Sequence, residues 1–136
     1  MAVGYKSTWL SNKILGLELG LTTWTPPATW YLALFTTLPT PGGTGGVEVS
    51  TGGYARIAIT NNTTNFPSPT NGQVVNGAAI ACGTPSSSWG TIVGVALYDA
   101  STGGNMGRVF IASPPISAPA STPLTIPAGS LIATEA

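Results

Sequence analysis

Four carboxylates, one thiol and no histidine limit the chemistry open to this chain of 136 residues. Without an imidazole there can be no serine triad, no Cys–His dyad and no histidine-bearing metal site. The acids Glu18, Glu48, Asp99 and Glu135 fall one each in a helical stretch, a loop, a turn and the tail. A glycosidase holds two carboxylates roughly 5–10 Å apart across a bond, and nothing in this spacing brings two together. The expectation is therefore a protein that is not an enzyme, with no catalytic residue, no metal ligand and no cofactor. The glycine stretches "PGGTGG" and "STGGN" lack the lysine and the strand–loop–helix setting that phosphate cradling needs. Cys82 lies in a small apolar segment and reads as a buried core residue.

Asp99, in "VALYDASTGGN", is the acid whose setting says most. An aspartate at the head of a turn accepts hydrogen bonds from backbone N–H groups two or three residues on. Gly103 and Gly104 supply the positive φ angles of a tight return. Asp99, Gly103 and Gly104 thus read as a structural turn.

The elements around these residues are mostly short strands. Leu10, Ile14, Leu17 and Leu21 recur at helical spacing, with Ser7 or Thr8 to cap the start and Gly20 to end it, so a helix lying on a sheet is expected near the N-terminus. "TWTPPATW" then forces an extended arm through Pro26 and Pro27. "WYLALFTTL", "YARIAIT", "WGTIVGVALYDA" and "GRVFIAS" read as strands, the last two as a hairpin across "DASTGGN". In "YARIAIT" the alternation points Ile57 and Ile59 inward and Arg56 outward. "QVVNGAAIAC" reads as a weaker strand pair, and "PLTIPAGSLIATE" as two segments around a turn. The fold expected is all-β, an antiparallel jelly roll or β-sandwich with one short N-terminal helix. One domain over 1–136 is expected, with the helix and arm in 1–29 and the sandwich in 30–136.

Only 6% of residues are charged, against about 25% in an average protein, and four basic and four acidic residues cancel. A neutral surface offers no steering toward phosphate backbones or anionic lipid, so neither nucleic acid nor membrane is expected as a partner. It suits a chain that packs against neighbours. There is no signal-peptide pattern, no apolar run of membrane-spanning length and no second cysteine, which points to synthesis in a cytoplasm without export. Trp30 and Trp89 open strong strands and read as core. Trp9 and Trp24 have two readings, core or anchors for a partner, since aromatic residues dominate interface hot spots. With Leu10, Pro26 and Pro27 they form the candidate partner interface.

Five pieces, in order, carry a resemblance: Tyr31–Thr36, Gly52–Arg56, Trp89–Gly90, Tyr98–Asn105 and Ala128–Gly129. They resemble small bacteriophage virion proteins, many of the tail-fibre type, over about residues 26–132. The resemblance implies an all-β fold and a structural role in the virion, with no catalytic residue to carry over; related small proteins act as jelly-roll capsid cement, or decoration, subunits. No elongated repeat or coiled shaft is evident in this chain. The expectation is therefore a cement protein on the capsid surface, a dimer or trimer, bridging subunits of the major capsid protein. The alternative is a tail-fibre or baseplate accessory module that contacts a host receptor.

Overall fold

The computed structural model describes residues 2–135, most of them in antiparallel strands or the turns between them. The main sheet contains β1 (Ala2–Lys6), β2 (Thr29–Thr37), β3 (Val47–Glu48), β4 (Ile57–Thr60), β7 (Gly90–Tyr98) and β8 (Met106–Ala118). Its order is β1-β8-β7-β2, with β3 and β4 both beside β2. Two ribbons complete the strands: β5 (Gln73–Val75) with β10 (Ile132–Thr134), and β6 (Ile80–Gly83) with β9 (Leu124–Ile126).

Side chains alternate across β2. Trp30, Leu32 and Leu34 enter the larger core cluster, where the β6–β9 ribbon supplies Ile80, Cys82, Leu124 and Ile126. Ala33 and Phe35 point the other way, into a smaller cluster with Ala96, Met106 and Val109, flanked by Tyr5, Leu38 and Tyr98. Both faces of the central strands are covered. That is why "WYLALF" and "VALY" read as unbroken apolar runs rather than as alternating ones. Ile92 and Val95, three apart, join the same cluster because the β7–β8 register shifts between Ile92 and Gly94. The result is an uneven β-sandwich, one broad sheet under two narrow ribbons, and not the two equal sheets of a jelly roll.

Several sequence expectations need correction. Residues 2–6, for which the sequence predicted no strand, form an edge strand beside β8. The two segments of "QVVNGAAIAC" do not pair with each other; each takes a strand from the C-terminal stretch. β8 runs on through Pro114 and Pro115. Its registered pairs stop at Ile111 and resume at Ile116, so the missing N–H groups cost no ladder bond.

The helix α1 (Thr8–Glu18) forms where its spacing and cap require. Ser7 Oγ accepts from Leu10 N at 3.0 Å and donates to the Met106 carbonyl, while Thr8 N donates to Pro41 O at 2.8 Å. Gly20, at φ 70°, follows the last turn. The helix does not lay its whole apolar face on the sheet, however. Leu10 is buried and Ile14 half-buried, but Leu17 in the last turn and Leu21 beyond the end of the helix stand in solvent.

Leu32→Ala is expected to cost about 2–5 kcal/mol and Val47→Ala, at an exposed site, within about 0.5 kcal/mol, as measured by urea unfolding.

Candidate functional site

The segment before β4 carries the densest polar cluster in the molecule. Residues 54–56 are not strand, so the chain is free to turn the Arg56 side chain under the loop that follows β7. Its Nε donates to Glu48 Oε2 and its Nη2 to Glu48 Oε1, both at 2.9 Å, a two-point fork on a carboxylate. The remaining nitrogen, Nη1, donates to the carbonyls of Ala100 at 2.9 Å and Gly103 at 2.7 Å. The guanidinium lies 3.8 Å from the centre of the Tyr98 ring. Only 8% of the side chain is exposed. Arg56 does leave the core side, as its alternation requires, but it goes into a second set of contacts and not into water.

Glu48 is positioned by β3, whose register sets it opposite Phe35. It also accepts from Tyr54 Oη at 2.6 Å, and that same oxygen accepts from Leu34 N at 3.1 Å. Burial alone would raise the Glu48 carboxyl; the hydrogen bonds from Arg56 and Tyr54 and the guanidinium charge outweigh it and hold the group below the ordinary carboxylate value. Tyr54 moves the other way: burial and its bond to Glu48 keep the phenol protonated far above its ordinary range.

The turn closes over this cluster. Asp99 Oδ1 accepts from Asn105 N at 2.6 Å and Oδ2 from Asn105 Nδ2 at 2.9 Å. The acceptor role is as anticipated, but the donor is six residues on, so Asp99 ties off the whole loop and not only its first bend. Gly103 and Gly104 have φ of 60° and 75°, and a Cβ on Gly104 would press on Asp99 and Ala100. On the other side, Trp89 Nε1 donates to Gly52 O at 3.0 Å and the Trp89 ring meets Tyr54 edge-on at 5.8 Å. Gly52, at φ 66°, has no room for a Cβ against Ser87 and Trp89. Four of the five motif pieces noted in the sequence thus touch one another. Ala128–Gly129 stands apart in its own turn, where Ser130 N donates to Pro127 O.

The candidate partner residues lie elsewhere. Trp9 and Trp24 are half-buried and packed on the main core, and they meet each other edge-to-face at 5.8 Å. Leu10 is buried, Pro27 is half-buried and Pro26 exposed. The tryptophans therefore hold the arm against the helix. The exposed apolar side chains of this region are Leu15, Leu17, Leu19 and Leu21. The sequence placed Leu17 and Leu21 on the helix face expected to lie on the sheet and did not single out Leu15 or Leu19.

The other acids are also engaged or apart. Glu135 bonds Lys6 and lies 3.6 Å from Arg108, which ties the last strand to the first; the Lys6 bond holds its carboxyl below the ordinary value. Glu18 sits on the exposed side of α1. Burial pushes the Cys82 thiol up to about 11, which leaves it unionised at neutral pH. Among the described residues, no group of three or more acids and cysteines is placed to hold a metal ion, and no helix is long and apolar enough to cross a membrane.

A neutral β-sandwich whose conspicuous motifs are spent on its own loops is a structural module. Its kind is given by the family described as podophage GP4 fiber I protein gp80, which matches this chain over residues 5–134. The chain belongs to that family, and so is a structural protein of a bacteriophage virion, of the tail-fibre type. No curated protein matches it.

Two measurements test the cluster. Arg56→Met is expected to lower unfolding free energy by about 3 kcal/mol, because it leaves Glu48 and two carbonyls unpaired, and Arg56→Lys to recover only part, since an ammonium cannot span all four acceptors. For pH, the ordinary carboxyl value is 4.5 and that of folded Glu48 is lower. Its stabilisation is complete above about 4.5 and is lost as pH falls through the folded value, so thermal midpoints should hold steady from neutral down to about pH 5 and then drop. Glu48→Gln should start less stable and show a shallower acid drop; an unchanged slope would remove Glu48 from the cause.

Proposed function

We propose that this protein serves at the phage tail, as a fibre or baseplate accessory module, and that its loops face outward toward the host surface. The observation that supports this most is the family match, which runs from residue 5 to residue 134 and so takes in the end of the edge strand, the helix and the rest of the sandwich. The absence of a shaft-like repeat, which favoured a capsid cement role from sequence, carries less weight beside a fibre-type family match over nearly the whole chain. A neutral build also suits such a module. With few charges free, its contacts in the particle rest on apolar surface and backbone hydrogen bonds and depend little on salt.

The host-facing part of the reading takes support from the loop geometry. The 99–105 loop is held from below by Arg56 and tied off by Asp99, while Ser101, Thr102, Gly103 and Gly104 stay exposed. A rigid base under small polar residues is how binding loops are built on sandwich scaffolds.

Gold-labelled antibody against this chain, applied to intact particles, tests the location. Label confined to the tail is the expected result. Regular label over the capsid faces would restore the cement reading and overturn this one.

A further inference from the structure

Two clefts open beside the loop of residues 99–105. The first, about 210 Å³, lies between the start of α1, the 41–43 loop and the end of the 99–105 loop, and its lining includes Thr8, Trp9, Tyr98 and Gly104. The second, about 310 Å³, lies between residues 101–103 and the segment that carries Tyr54. Gly103 lines one cleft and Gly104 the other, so the two meet within one peptide unit, about 3.8 Å from Cα to Cα. Both glycines are exposed, and neither has a side chain to bar the way across. The loop between the clefts is held in place. Asp99 ties it off through Asn105, and Arg56 bonds the Ala100 and Gly103 carbonyls.

The lining says what class of ligand fits. Thr8 and Tyr98 in the first cleft, and Ser101 and Thr102 in the second, carry hydroxyls that make no hydrogen bond among the described residues. A hydroxyl both donates and accepts, so these four suit a ligand that itself carries hydroxyls. Trp9, half-buried, adds an aromatic surface to the first cleft and an indole N–H that likewise has no acceptor among the described residues. No charged side chain of the described residues lines the first cleft, and in the second Glu48 and Arg56 answer each other. A phosphate or carboxylate ligand therefore meets no free cation here, and a basic ligand no free carboxylate. A protein partner needs an apolar socket for an anchor side chain, whereas glycine and hydroxyl residues make up most of this lining. An uncharged chain of linked, hydroxyl-bearing rings matches the hydroxyls, the aromatic flank and the two adjoining clefts together.

We infer that the two clefts bind an uncharged oligosaccharide, one sugar ring in each, with the linkage passing over Gly103 and Gly104. This deepens the host-facing reading and rests on it for the source of the glycan, a polysaccharide of the bacterial surface. Binding in solution is measured apart from the virion, so it can fail while the tail label stands, and the reverse.

Amide NMR titration of the full chain tests it, with maltose, cellobiose, lactose and diacetylchitobiose as probes. Each is taken to about 50 mM, because half-saturation is expected in the millimolar range for so small a contact. At least one should shift the amides of Thr8, Gly43 and residues 101–105 and the Trp9 indole N–H together. It should also bind about 10-fold more tightly than its own monosaccharides, which fill one cleft only. Tyr98→Phe and Thr102→Val each remove a hydroxyl that bonds nothing in the free protein. Each should weaken binding by about 3- to 10-fold and leave the thermal midpoint unchanged. No shift with any of the four disaccharides would overturn the inference, as would shifts scattered over the surface. So would equal affinity for the monosaccharides, or binding untouched by both hydroxyl changes. Tighter binding of the acidic hyaluronan disaccharide than of any neutral one would overturn the uncharged class.

Discussion

The loop end of this sandwich depends on the guanidinium of Arg56. A buried arginine fork is tolerated only when its donors and its charge are answered together, because an unmatched ion in a low-dielectric site costs several kcal/mol. Here the answers come from two separate stretches of the chain: the carboxylate of Glu48 in β3, and the face of Tyr98 with the carbonyls of Ala100 and Gly103 at and after the end of β7. None of them can move away without leaving part of the guanidinium unanswered. The loop before β4, the short strand β3 and the loop after β7 are therefore tied to each other by one side chain.

The same constraint accounts for the motif residues noted in the sequence. Tyr54 supports Glu48 and caps the Leu34 amide, Gly52 passes under Trp89, and Gly103 and Gly104 let the loop curl back over Arg56. Residues that look chemical in the sequence, an acid beside glycines and an arginine beside a tyrosine, are spent on assembling a rigid end to the sandwich. At the opposite end of that economy, α1 carries leucines for which the fold has no use. One end of the molecule is over-determined internally, and the helix is left with surface to offer.

What could be read from the sequence follows the strength of local signals. The β7–β8 hairpin was legible because two long apolar runs flank a turn whose Asp and Gly residues have a mechanism. β2 was legible because both of its faces are buried and its run is continuous. β1 was not, since "AVGYK" is short, holds a glycine and becomes a strand only through the pairing that β8 supplies. The ribbons were found as segments but mispaired, because strands of three or four residues carry no register signal of their own. Arg56 was assigned its side of the strand correctly and its environment wrongly: alternation tells which way a side chain leaves the backbone, not what loop lies over it. Trp9 and Trp24 had two readings from sequence, and only their edge-to-face contact shows that each is the other's first partner.

Native-state hydrogen exchange on Arg56→Met tests most directly whether this one side chain fixes the loops. The account predicts that amides of residues 99–105 and of β3 lose protection together while β2, β7 and the β7-paired part of β8 keep theirs. Unchanged protection in both loops would contradict it, and would show that the loops are held by their own turns and glycines without the guanidinium between them.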